Sequence, residues 1–410
     1  MSDGAAWTIE LVPAWLRGGA RVTCMLCGRP AVPGWEYTGC RECGEAGPLE
    51  LVYPPIPCSG MALSEAAAWA RNNLQPLALE ALVHLGTVTT PLVSMPGLGQ
   101  ELYLKNEAFS PTGAHKDRYH AVAAACARLL RCAGVVTSST GNHGVSAAAH
   151  AAAAGLPSVV LCHPDAPEGL LRTIHAFGGL AAQLPGEESR RALVELVERG
   201  WFPATSMDPL LSGRANPFGA EGYKGIAYET AEQLGRMPGA IIVPTAGGDT
   251  IYGIAKGFME VAALTGLAMP TIIAVQPVCA NSLSRSMATG HQVSVDGPPS
   301  IALSISDRVT GRQAMVALQR ARGVSVDVSD TAIAEAVRDL ARVGIYGEPA
   351  SAASLAGYRQ AVGSAIVDPG LPSVVLLTSS GFKWPETMSQ IFHATPARSL
   401  DELHQRLTTA

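Results

Sequence analysis

Charge is scarce in this chain: Asp, Glu, Lys and Arg make up 15% of its 410 residues, with a formal balance of -5. The basic residues are scattered, so the field that attracts polyanions is missing; nucleic acid is excluded as a partner and a small molecule is expected. Long uninterrupted apolar runs are also lacking. The most apolar stretches, Ala121 to Val136 and Ala147 to Cys162, are broken by arginines, His150, glycine and proline, short of the roughly 20 residues that cross a bilayer. No membrane partner is expected. The opening M-S-D-G-A-A-W-T-I-E has neither the basic start nor the apolar core of a secretory leader, so a cytoplasmic location is expected. What the chain does have is hydrophobicity, 48% of its residues, enough for two substantial cores at this length.

Cysteine is present nine times, an odd number that suits a reducing compartment and argues against a disulfide framework. Four of the nine form two knuckles, C-M-L-C-G and C-R-E-C-G, with Cys24, Cys27, Cys40 and Cys43 at C-x-x-C spacing. This spacing predicts a tetrahedral zinc site of four thiolates, closed and therefore structural. Four free thiols are the plain alternative. A nucleic-acid-binding ribbon is the sharper one, opposed by the acidic stretch of Glu42, Glu45 and Glu50 and by the absence of a basic stripe. Residues 1–50 thus read as a cysteine-rich, zinc-ribbon-like module.

From about Leu51 the texture changes to short β-branched runs alternating with alanine-rich helical segments. Gly134 to Ser138 precedes Val145 to Ala154, Pro157 to Cys162 precedes Glu168 to Phe177, and Ala240 to Val243 precedes Tyr252 to Leu264. Thr271 to Val275 and Ser373 to Leu377 complete the set. Such alternation predicts an α/β fold with parallel sheets flanked by helices. Ligands of such sheets bind beyond the carboxyl ends of the strands. Three loops there are polar and glycine-rich: S-S-T-G-N-H-G after Thr137, P-T-A-G-G-D-T after Val243 and T-S-S-G after Leu377.

The second of these loops, containing Thr245, Gly247, Gly248, Asp249 and Thr250, has the glycines and the following helix start of a phosphate cradle. Strand-to-helix turns also carry glycines for purely geometric reasons. Asn142, in the first loop, has a side chain suited to a phenolate oxygen, and equally to an ordinary helix cap. Lys116 is expected in the first turn of a helix beginning near Gly113, where the helix dipole disfavours a cation. An anionic cofactor or a Schiff base would justify it; a surface lysine paired to Asp117 or Glu107 is the bland reading.

Taken together, K-N-E-A-F-S-P-T-G-A-H-K-D-R, S-T-G-N, E-G-Y-K-G-I-A-Y-E, G-I-A-K-G-F, E-P-A-S-A-A-S and L-T-S-S-G follow one another from Tyr103 to Lys383. The series resembles that of threonine synthases and their fold-type-II pyridoxal-phosphate (PLP) relatives. That resemblance implies Lys116 as the Schiff-base lysine and proton-transferring base, and Asn142 at the cofactor's 3′ oxygen. It places Thr245, Gly247, Gly248, Asp249 and Thr250 at the phosphate and Thr378 at the pyridine nitrogen. It also gives the amides of Ser139, Thr140 and Gly141 to the substrate carboxylate. A large domain of residues 51–115 and 215–400, a smaller one of 116–214 and a tail of 401–410 are implied, as is a homodimer. The expected activity is elimination or replacement of a β or γ substituent of an amino acid. Dehydratases and ammonia-lyases of the same fold are the alternative, and a non-catalytic binding protein a third.

The departures from the family pattern lie on the substrate side. His115 replaces an aromatic residue, Ser110 an asparagine and Tyr119 a glycine. His143 stands where similar threonine synthases have threonine, and the dehydratases and ammonia-lyases carry G-N-H there. As histidine titrates near neutral pH, His143 is expected either to donate a proton to a leaving group or merely to cap the helix.

Overall fold

A computed structural model of the chain describes residues 20–31, 39–40, 42–43, 47–56, 60–86, 89–139, 141–206 and 216–409. It begins with an antiparallel hairpin, β1 (Arg21–Cys24) and β2 (Leu49–Val52), followed by α1 (Leu63–Asn73). Strands β3 (Leu92–Ser94) and β4 (Leu102–Asn106) then lead into α2 (Lys116–Leu129). A first β/α run follows: β5 (Val135–Ser138), α3 (Asn142–Ala153), β6 (Ser158–Cys162), α4 (Glu168–Ala176), β7 (Leu180–Gln183), α5 (Gly186–Glu198) and β8 (Phe202–Pro203). After α6 (Lys224–Leu234) the second run is β9 (Ala240–Pro244), α7 (Asp249–Thr265), β10 (Thr271–Pro277), α8 (Ser282–Thr289), α9 (Arg312–Ala321) and β11 (Val324–Val328). The chain closes with α10 (Asp330–Arg342), α11 (Pro349–Gly363), β12 (Ser373–Leu377), α12 (Pro385–Ile391) and α13 (Leu400–Thr409).

Two sheets result. One has six strands in the order β11-β10-β9-β12-β4-β3, parallel except for the edge strand β3; the other has four parallel strands in the order β7-β6-β5-β8. The expected α/β architecture of parallel sheets and flanking helices is what the chain forms. Strands β9, β10 and β12 are apolar on both faces because both are covered. Ile241, Val243, Ile272, Ala274, Val374 and Leu376 join the core under α2, α6, α7 and α9. Their alternates Ile242, Ile273, Val275, Val375 and Leu377 join the core under α10 and α11, as the period of two along a strand requires. Helix α2 begins at Lys116 rather than near Gly113, whose φ of +74° sits in the turn before it. No helix among the described residues is long and apolar enough to cross a membrane.

The cysteine-rich hairpin is built into the main body. Val22, Cys24, Leu49 and Leu51 share one core with residues of α7 and α9. Glu50 is buried, and its carboxylate accepts two bonds of 2.7 Å from Arg320 on α9 and one of 2.7 Å from Tyr252 on α7. Read in sequence as part of an acidic stretch, Glu50 is a fastening between layers.

Candidate active site

A cavity of about 550 Å³ opens at the carboxyl ends of β5, β9 and β12 and is walled by all three polar loops and by Lys116. The start of α2 is pinned there by backbone contacts: the His115 amide donates to the Thr378 carbonyl at 2.8 Å, and Ala114 bridges Ser379. The carboxylates that the bland reading assigned to Lys116 are engaged elsewhere. Asp117 accepts from the Thr112 amide and hydroxyl (2.7 and 2.6 Å) and from the Ser146 hydroxyl (2.6 Å). Glu107 takes the Arg118 guanidinium at 2.6 and 2.9 Å. The Lys116 ammonium faces the Tyr223 ring, 5.7 Å from the centroid. Burial pushes its pKa below that of an ordinary lysine, against the opposing pull of Asp249, Asp307 and Glu348.

Arg118, whose role is not visible in the sequence, lies at the centre of a buried cluster. It bonds Glu107 and also Glu229 at 2.7 and 2.8 Å, while Lys105 reaches Glu229 at 2.7 Å and the Thr90 carbonyl at 2.7 Å. The cluster ties the first turn of α2 to β4 and α6. Arginine holds the Glu229 carboxyl down at about 2, with Lys105 adding to the effect, against the opposing push of burial.

The loop after β9 has the features that a phosphate needs. Gly248 has φ +111°, and a Cβ there would lie 2.6 Å from the Cβ of Ala314, so only glycine is accommodated. On Gly247 an added Cβ would meet nothing nearer than 3.8 Å, leaving room on the cavity side. Helix α7, 17 residues long, starts at Asp249 and aims its free amides at the same place. His115 links this loop to the opposite end of the site. Its Nδ1–H donates to the Thr378 carbonyl at 3.1 Å, and Nε2 accepts from the Thr250 hydroxyl at 3.0 Å; burial keeps the ring neutral. The Thr378 hydroxyl is 2.9 Å from that of Ser351. Asn142 donates to Glu348 at 3.0 Å, and its Oδ1 has no partner among the described residues, an open polar position beside Lys116 in the same wall. A neutral hydroxyl, the Asn142 Nδ2 group with a second hydrogen to donate to a phenolate, and a glycine-lined anion cradle around one half-buried lysine fit the parts of PLP.

The pattern of the pyridoxal-phosphate dependent enzyme family matches residues 83–381. The chain belongs to this family. Threonine synthase of Methanocaldococcus jannaschii is 30% identical over 388 residues, 88% of this chain and 93% of that one. Threonine synthase of Halalkalibacterium halodurans is 29% identical, covering 77% of this chain and 88% of its own. In fold, maize serine racemase superposes with a TM-score of 0.62 at 20% identity, covering 86% of this chain and 98% of that structure. The protein is a threonine synthase-like PLP enzyme, a lyase that works by elimination or replacement at the β or γ carbon of an amino acid.

Two expectations on the substrate side change with the structure. The Ser139 amide donates to the Leu161 carbonyl at 2.9 Å, and its hydroxyl accepts from the amides of Gly141 (3.2 Å) and Gly144 (3.0 Å). Ser139 therefore offers the cavity a hydroxyl in place of its amide, the Gly141 amide is taken up by that hydroxyl, and Thr140 lies outside the described residues. His143 is buried, with Nε2 donating to the Ala204 carbonyl at 2.8 Å and Nδ1 without a partner among the described residues. Burial, with the nearby charge of Lys116, pushes its imidazole down to about 3, so the near-neutral titration expected of it is lost. It faces the cavity as a neutral acceptor.

At the far end of the hairpin the four sulfurs of Cys24, Cys27, Cys40 and Cys43 lie within 4.8 Å of one another. A zinc–sulfur bond of about 2.3 Å sets tetrahedral S···S distances near 3.8 Å. The Leu26 amide, 3.4 Å from Cys24 Sγ, supplies the backbone contact of a thiolate knuckle.

Proposed function

We propose that Lys116 is the covalent anchor of PLP and the base that moves the substrate's α proton, with Thr245, Gly247, Gly248, Asp249 and Thr250 at the cofactor's phosphate. Asn142 holds its 3′ oxygen and Thr378 its ring nitrogen. The observation that carries the reading is Lys116 itself, in the cavity wall while the neighbouring acids bond other groups. When bound, PLP draws electrons from the substrate's α carbon. The chain's residues do the rest. Lys116, with its pKa lowered by burial, takes the α proton; the Ser139 hydroxyl and the S-T-G-N loop receive the α-carboxylate. His143 accepts a hydrogen bond from the substrate side, and His115 keeps Thr250 and Thr378 in register. The two sheets support a division into domains of residues 51–115 with 215–400 and of 116–214. A cytoplasmic homodimer is the assembly that the family resemblance favours.

The test is to mix purified holoenzyme with O-phosphohomoserine, threonine, serine, O-phosphoserine and diaminopropionate and follow the visible spectrum together with phosphate, ammonia and 2-oxo acid. Threonine formed from O-phosphohomoserine supports the threonine synthase reaction; a 2-oxo acid and ammonia support the lyase alternative. If none of these amino acids changes the spectrum or releases a product, the proposed activity is wrong. Replacing His143 by threonine is expected to shift the ratio of replacement to elimination.

The four cysteines are proposed to hold one structural zinc per chain. Metal analysis of protein purified without chelators is expected to give one zinc, and its removal to loosen the hairpin and lower the unfolding temperature. Zinc-free protein with an unchanged melting curve would leave the thiols without that role.

A further inference from the structure

The reading of residues 245–250 as the phosphate cradle leaves a conflict of charge: Asp249 is an anion at the helix end where a second anion is to bind. Gln313, fully buried at the start of α9, stands against this loop. Its Nε2 lies 2.9 Å from Asp249 Oδ1 and 2.9 Å from the Gly247 carbonyl. The Gly311 amide donates to the same carbonyl at 2.9 Å. In a planar trans peptide the carbonyl and the following N–H point in opposite directions. A Gly247 carbonyl turned to α9 therefore turns the Gly248 N–H away from α9. Helix α9 is itself held by the paired bonds of Arg320 to Glu50, so its position does not depend on the cradle. Gln313 lies outside every motif of the sequence.

We infer that Gln313 is a positioning residue for the cofactor's phosphate, holding the Asp249 carboxylate toward α9 and fixing the Gly248 amide toward the anion. The inference rests on the cradle reading above. Its test is the affinity of the full chain for PLP and for pyridoxal, which lacks the phosphate, measured by dialysing holoenzyme against graded cofactor and reading bound cofactor by absorbance. Gln313→Ala is expected to weaken PLP by about tenfold and to leave pyridoxal unchanged. Adding Asp249→Asn to that variant is expected to recover most of the loss, because the like charge is then gone. Unchanged PLP affinity in Gln313→Ala overturns the inference, and so does equal weakening of pyridoxal or a loss that Asp249→Asn does not relieve. Gly247→Val separates the two levels. If it binds PLP as the parent does, the cradle reading fails; if it loses PLP while Gln313→Ala does not, the inference alone fails.

Discussion

Replacing Lys116 by alanine is expected to remove the visible cofactor band and to lower turnover by about a thousandfold or more, the scale set by losing both a covalent anchor and a proton-transfer group. The effect is large because, among the described residues, Lys116 is the lysine that lines the cavity, while Lys383 gives its ammonium to the Thr112 carbonyl at 2.7 Å. Lys105 is turned away into the Glu229 cluster and Lys224 bonds Glu260 at 3.0 Å, so neither reaches the cavity. Borohydride reduction of the parent enzyme followed by peptide mapping is expected to place the pyridoxyl group on Lys116. A label on Lys105 or Lys224 would refute the assignment, as would a Lys116→Ala variant that keeps its colour and rate.

Arg118→Met is expected to destabilise the fold by about 3–5 kcal/mol, because it strands two buried carboxylates, Glu107 and Glu229, in a low-dielectric interior. The side chain is 13% exposed and its acceptors 0% and 3%, so solvent screening gives little relief. Denaturant unfolding of the two proteins measures the difference; less than 1 kcal/mol would mean that water or Lys105 replaces the guanidinium. The pH dependence has a definite sign. Glu229 is held at about 2 against an ordinary 4.5, so its contribution is complete above 4.5 and is lost as pH falls through about 2. Parent protein is therefore expected to lose stability more steeply than Arg118→Met across that acid window. Because the cluster anchors the first turn of α2, the variant is also expected to bind PLP more weakly.

Strands β5, β6, β9, β10 and β12 were legible within two residues of their ends because they are buried on both faces and read as continuous β-branched runs. The edge strand β7 was not: its residues are partly or fully exposed, and L-A-A-Q carries neither alternation nor β-branching. β11, V-S-V-D-V, does carry the alternation and β-branching of a half-buried strand and was legible in principle, although it lies on the sheet edge. Among the site residues, Lys116, Asn142 and the glycine loop could be named because each lies at a helix start or in the turn before it, within a local sequence pattern. Gln313 and Arg118 act across 64 and 111 residues of chain on Asp249 and Glu229. No local pattern carries a pairing of that separation.

His143 divides the two kinds of knowledge most clearly. Its identity and its place after S-T-G-N are properties of the chain, as are the cysteine spacing, the family motifs and the α/β alternation, since each depends on residues close together in sequence. Whether that imidazole is charged depends on what is packed around it. Burial and the neighbouring Lys116 make it neutral, and the Ala204 carbonyl, 61 residues away, selects which nitrogen carries the proton. The same holds for Lys116: its neighbours in sequence, Asp117 and Glu107, are occupied by Thr112, Ser146 and Arg118. Residue type and local conformation follow from short-range sterics and propensity. Protonation state and the choice of partner follow from desolvation and distance, which exist only once the chain has folded.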